Sequence, residues 1–202
     1  MGVVHIAVKT VASYRRALRS SVRGLWSGVI TFDQAFDAFQ STVERNFAQA
    51  WMAGAEECGI ESDELTEAEK NVLNERVAAE IEHISEFLEA VEVNSKKNGG
   101  QLVPLFNRLE MWANRWNEVF ELGESYACAD EKRIWVLGRV RTKHCRSCLG
   151  LAGRVYRYSV WRDNDALPNS SRLDCFGGHC NCSLRKTDAP ITRGRFPIGL
   201  LN

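Results

Sequence analysis

The sequence predicts an α+β protein: a mainly α-helical N-terminal region of about four helices, then a small β-rich, cysteine-rich module of zinc-knuckle type. Three observations carry that expectation. Apolar residues recur at gaps of three and four through the first 130 residues, the spacing of one helix face. Beyond residue 131 short apolar and alternating runs replace them. Five of the seven cysteines fall between Cys145 and Cys182. The expected division is a helical domain over 1–130, a metal-binding module over 131–190, and a flexible or docking tail over 191–202.

The first helix is expected over Val8 to Trp26, on Val8, Val11, Tyr14, Leu18, Val22 and Leu25. Its other side carries Arg15, Arg16, Arg19 and Arg23, a basic stripe read as a solvated face. Thr31 and Gln34 have capping-box spacing and open a second helix, whose stripe runs from Phe32 through Phe39, Phe47 and Trp51 to Ala55. Gly59 is its expected stop. Cys58, far from the other sulfurs, reads as packing. Thr66 and Glu69 repeat the capping box before a third helix on Val72, Leu73, Val77, Ile81, Ile84, Leu88 and Val91. Its glutamates, Glu80 among them, and His83 are expected at the surface. The run Asn94 to Gly100 breaks the periodicity. The fourth helix then spans about Gln101 to Ala127, with Pro104 in its first turn and Trp112 and Trp116 four apart on one face.

After Lys132 the expectation is a short strand at Ile134 to Leu137 and a second from Val155 to Trp161. The run from Arg162 to Ser171 reads as a loop in which Asp163 and Asp165 serve turns. The tail beyond Leu184, with two prolines and two glycines, has no period. So small a module has too little apolar surface to fold alone, and a metal would supply the missing stability.

Charge is balanced overall but split along the chain. Residues 1–130 hold 12 Lys and Arg against 21 Asp and Glu, a net −9; residues 131–202 hold 14 against 5, a net +9. A basic end can meet a polyanion or an acidic protein surface, or the two parts can neutralise each other. A secretory leader is not legible, nor is an apolar run long enough to span a bilayer. The expectation is therefore a soluble, non-secreted protein with reduced thiols and no membrane contact.

Cys145 and Cys148 lie two residues apart, a spacing that lets two thiolates of one turn face one cation. Cys175, Cys180 and Cys182 lie some thirty residues on, around the Gly-rich run Phe176 to His179. Two sulfur groups so spaced form the pattern of a structural zinc site with four ligands. The expected ligands are Cys145, Cys148, Cys175 and Cys180, with Cys182 as the substitute in the second group. Disulfides or buried thiols are the other readings. Four protein ligands leave no open position for an activated water, and His144 and His179 sit beside cysteines in sequence rather than facing them. The chain is read as not an enzyme.

These features together resemble the phage head-morphogenesis family, the minor head proteins that include the Mu F-like domain. In the helical half the resemblance rests on SGVITFDQAF and AWMAGAEECGIESDELTEAE. In the C-terminal half it rests on Trp135, HCRSCLGLAGRVYRYSVW and LDCFGGHCNCSL, with Cys145/Cys148, Leu151-Ala152-Gly153, Trp161 and Cys180-Asn181-Cys182 as its most specific part. Where many relatives carry His-Pro-Asn before the final Cys-x-Cys, this chain has Gly177-Gly178-His179 and adds Cys175. The resemblance implies a minor head protein of the virion, made in the host cytoplasm and placed inside the head at the portal. It would act in head assembly and in DNA packaging or ejection. Its implied partners are the portal protein, major capsid or scaffold proteins and, through the basic module, packaged DNA. A zinc-containing nucleic-acid-binding regulatory protein is the alternative.

Overall fold

A computed structural model of the protein describes residues 2–61, 65–139, 143–175 and 181–201, with side chains described from residue 11 on and not at 200. The class is α+β, as expected. Four long helices come first: α1 (Gly2–Ser27), α2 (Phe32–Glu56), α3 (Glu67–Val93) and α4 (Leu102–Ala127). Then follow β1 (Lys132–Val136), α5 (Arg146–Leu151), β2 (Val155–Arg157), α6 (Tyr158–Asp163) and β3 (Ser183–Lys186). Among the described residues no helix is long and apolar enough to cross a membrane.

The helix starts follow the local chemistry. Thr31 N–H donates to Gln34 Oε1 at 3.0 Å and Gln34 N–H to Thr31 Oγ1 at 3.2 Å. Thr66 and Glu69 make the same reciprocal pair at 2.9 and 3.3 Å. Each box satisfies two backbone donors that a helix start otherwise leaves open. The break at Asn94 to Gly100 contains a single 3-10 turn, Lys96–Asn98.

The chain divides into two compact units, and the division falls inside α2 and α4 rather than at residue 130. One unit is Met1–Ala50 with Asp63–Trp116; the other is Trp51–Ser62 with Asn117–Asn202. The first unit is a helical core. Leu18, Phe39, Ile84 and Leu109 are fully buried, and Phe39, Phe87 and Trp112 meet ring to ring with centroids 5.0–6.0 Å apart. Two surface expectations are corrected here. Part of the α1 stripe meets another helix: Arg15 Nε and Arg19 Nη2 both bind the Glu110 carboxylate at 2.7 Å, and Arg19 and Arg23 lie over the Phe106 ring, whereas Arg16 is exposed as expected. Glu80 is buried, with Arg115 Nε 3.4 Å from its carboxylate. A charge at a core-facing position of a helix needs such a partner, and sequence periodicity does not show partners. His83 is exposed, as expected.

In the second unit the ends of α2 and α4 cross at two glycines. A Cβ on Gly54 would collide with the Phe120 carbonyl and the Glu124 nitrogen, and one on Gly123 with the Trp51 backbone. Only glycine admits that approach. It brings Cys58 and Cys128 to a Cα separation of 5.7 Å, where they form a disulfide. The expectation of a merely packed Cys58 and of reduced thiols throughout is corrected at this pair.

The sheet has the order β2-β1-β3 and is antiparallel throughout, with Arg133 opposite Tyr156 and Trp135 opposite Leu184. The second strand is shorter than the alternation suggested. It ends at Arg157, and Tyr158 to Asp163 turn into α6, which buries Tyr158 and Trp161, three apart on one helical face. The expected loop is drawn inward: residues 166–170 are all buried. Asp165 and Asn169 take left-handed backbone angles there, φ 52° and 68°, in keeping with turn chemistry. The tail is laid on its own module. Thr192 N–H bonds the Val155 carbonyl at 2.9 Å, and the Phe196 ring packs 5.1 Å from Tyr156 and 5.4 Å from Trp161. Inward loop, tail and paired tryptophans thus give this unit an aromatic core that the sequence did not reveal.

Candidate metal centre

Two turns build the centre. The first is the start of α5. Cys145 is its N-cap residue, in extended geometry, and Cys148 N–H donates to Cys145 Sγ at 3.4 Å. A thiol there takes the place that a serine or threonine hydroxyl commonly fills. The same turn of helix aims Cys148 inward, where it is buried against the module core. The second turn follows the inward loop. Leu173 is fully buried and anchors it, and Cys175 comes two residues later.

A reciprocal clasp joins the two turns. Ser147 N–H donates to Asp174 Oδ2 at 3.0 Å, and Asp174 N–H donates to Ser147 Oγ at 3.0 Å. Each clasp residue directly precedes a cysteine, and Ser147 is fully buried. The sulfur atoms of Cys145, Cys148 and Cys175 consequently lie within 4.8 Å of one another. Sulfurs bound tetrahedrally at about 2.3 Å from a zinc ion lie about 3.8 Å apart. Three thiolates in this space fit a single metal ion with little movement.

The other predicted ligands fare differently. Cys180 and His179 lie outside the described residues. Cys182 does not join the three-sulfur group. Its Sγ lies 3.8 Å from His144 Nδ1, and it is buried against the module core. The reason is register: Leu184 pairs with Trp135 and Ser183 with Val136, which holds Cys182 at the start of β3. Sequence reasoning missed Ser147 and Asp174. Their signal was present as a serine and an acid, each one residue ahead of a ligand.

Serine 147 is a stringent place to test the clasp. Ser147→Ala leaves the Asp174 N–H without its acceptor, at a cost of about 1–2 kcal/mol. It should also weaken metal binding by roughly 10- to 100-fold, the usual effect of removing a group that positions a ligand. Competition against a graded series of chelators measures it, and an unchanged affinity would show the clasp to be irrelevant.

Much of the module's positive charge is spent internally. Arg133 binds Glu124 at 2.7 Å and Glu131 at 2.8 Å, and Arg157 binds Asp130 at 2.6 Å. Lys186 pairs with Glu131, which holds that carboxyl below the usual range. Arg139, Lys143, Arg146 and Arg185 are exposed and make no ion pair among the described residues. Comparison with protein-family models, with curated proteins and with solved structures returns no match.

Proposed function

We propose that the chain is a structural protein of a phage particle, a minor head protein acting in head morphogenesis at the portal. Its cysteine centre would be a structural zinc site. The observation that carries this reading is the convergence of Cys145, Cys148 and Cys175. Cys145 and Cys148 belong to the most specific part of the resemblance to minor head proteins, and Cys175 is this chain's addition to it. A centre made of thiolates and tied by the reciprocal Ser147–Asp174 clasp suits an ion that holds two turns together. Soft thiolates favour zinc over hard cations, and the fourth ligand in this reading is Cys180.

The function is tested by fractionating infected cells that carry a tagged copy. The tag is expected to copurify with heads and with the portal protein. Recovery only in the free cytosolic fraction, never in particles, contradicts the proposal.

A second reading is a zinc-containing regulator that binds nucleic acid, favoured by Arg139, Lys143, Arg146 and Arg185, which are exposed and make no ion pair among the described residues. It requires duplex binding that weakens steeply as salt rises. Binding indifferent to salt, or no binding, removes it.

A further inference from the structure

A second cluster of chemistry lies in the same unit, built by α4, β1 and α6. Tyr158 Oη is 2.5 Å from Glu121 Oε2 and 3.1 Å from Glu124 Oε2. A hydroxyl has one proton and cannot donate to two carboxylates at once. The positive charge nearby is already committed. Arg133 donates to Glu124 and to Glu131, and its guanidinium lies 4.5 Å above the Tyr158 ring. Lys186 from β3 balances Glu131. The end of α2 presents backbone to this stretch of α4, at Gly54 and Trp51, and its Glu56 and Glu57 are exposed. Glu121 makes no ion pair of its own among the described residues, and the Arg133 charge only partly offsets it.

We infer that Glu121, Tyr158 and Glu124 form a proton-operated latch, in which a proton on Glu121 completes a one-way chain of hydrogen bonds. Glu121 then donates to Tyr158 Oη, Tyr158 donates to Glu124, and Glu124 accepts from Arg133. The latch joins α4 to α6 and to the sheet, because Tyr158 opens α6 and its N–H bonds the Glu131 carbonyl at 2.8 Å. When the proton leaves, Glu121 and Glu124 repel each other and compete for one hydroxyl. Burial pushes the Glu121 carboxyl up to about 7; the Tyr158 hydrogen bond opposes the rise, the Glu124 charge adds to it, and the Arg133 charge opposes it more weakly. The phenol is raised in turn, first by burial and then by both carboxylates, and so stays protonated.

The sign follows from linkage. A carboxyl raised on folding adds no penalty below its unfolded value of about 4.5, and a growing one as pH climbs to about 7. Thermal unfolding of the full chain is expected to show a midpoint lower by roughly 5 °C at about pH 8.5 than at about pH 5.5. Glu121→Gln keeps a donor for Tyr158 and should abolish most of that difference. An equal fall in the variant and the parent overturns the latch, as does a parent midpoint that does not fall. Should the variant not fold, carbon-detected titration of the parent's glutamate carboxyls decides. One of them must titrate near neutrality; if all titrate in the ordinary range, the latch does not exist.

Discussion

Replacing Cys148 with serine is expected to remove the metal and to unravel the module around it. Cys148 is the buried member of the three-sulfur group and packs in the same core as Leu151, Tyr158 and Trp161. Its loss takes away one ligand and puts a hydroxyl among apolar side chains. Structural zinc sites contribute on the order of 10 kcal/mol to folding in favourable cases. Here the aromatic core carries part of the load, so the expected loss is several kcal/mol, roughly half that figure. Metal content and the near-ultraviolet signal of Trp135 and Trp161 should fall together. Cys182→Ser is the control: with its sulfur at His144, it should keep the metal. Equal metal loss in both variants would mean that the ligand set is wrong.

The second large effect is expected at the helix crossing. Gly123→Ala forces a methyl group into the Trp51 backbone, and Gly54→Ala does the same at Phe120 and Glu124. Backbone cannot swing aside as a side chain can, so the helices must part. Overpacking of this kind costs about 3 kcal/mol, at the upper end of its range. Parting the helices also moves Cys58 from Cys128, and the two readouts should agree. Each variant should unfold at lower denaturant and should leave more reactive thiol at these positions than the parent under the same oxidant. Normal denaturant midpoints would show that the crossing is not close.

The four helices were legible because their signals are local. Capping boxes at Thr31 and Thr66 and apolar stripes need only neighbours three and four residues away. The cysteine turn was legible for the same reason, since Cys145 and Cys148 share one turn. What was hidden depends on residues distant in sequence. Cys58 and Cys128 are 70 residues apart, and nothing near either names the other. Gly54 and Gly123 carry no local signal of their role, since the crossing that requires them is defined only by three-dimensional contact. The burial of Glu80 and the pairing of Arg15 and Arg19 with Glu110 were hidden because a charged residue on a helix looks alike facing water or facing a partner. The second strand extends too far in the sequence reading because Tyr156, Tyr158 and Val160 alternate as in a strand, while Tyr158 and Trp161, three apart, fit the helix that forms. The inward course of the loop and the seat of Phe196 on its own module were not legible because turn chemistry marks where a chain bends and not what it packs against.

Elemental analysis and sulfur-sensitive X-ray absorption on the purified full chain test the metal centre most directly. One metal ion per chain with a first shell dominated by sulfur, lost on Cys148→Ser, is the expected result. A folded chain without bound metal, whose half-buried Cys145 and Cys175 both react freely with a thiol reagent, would contradict it.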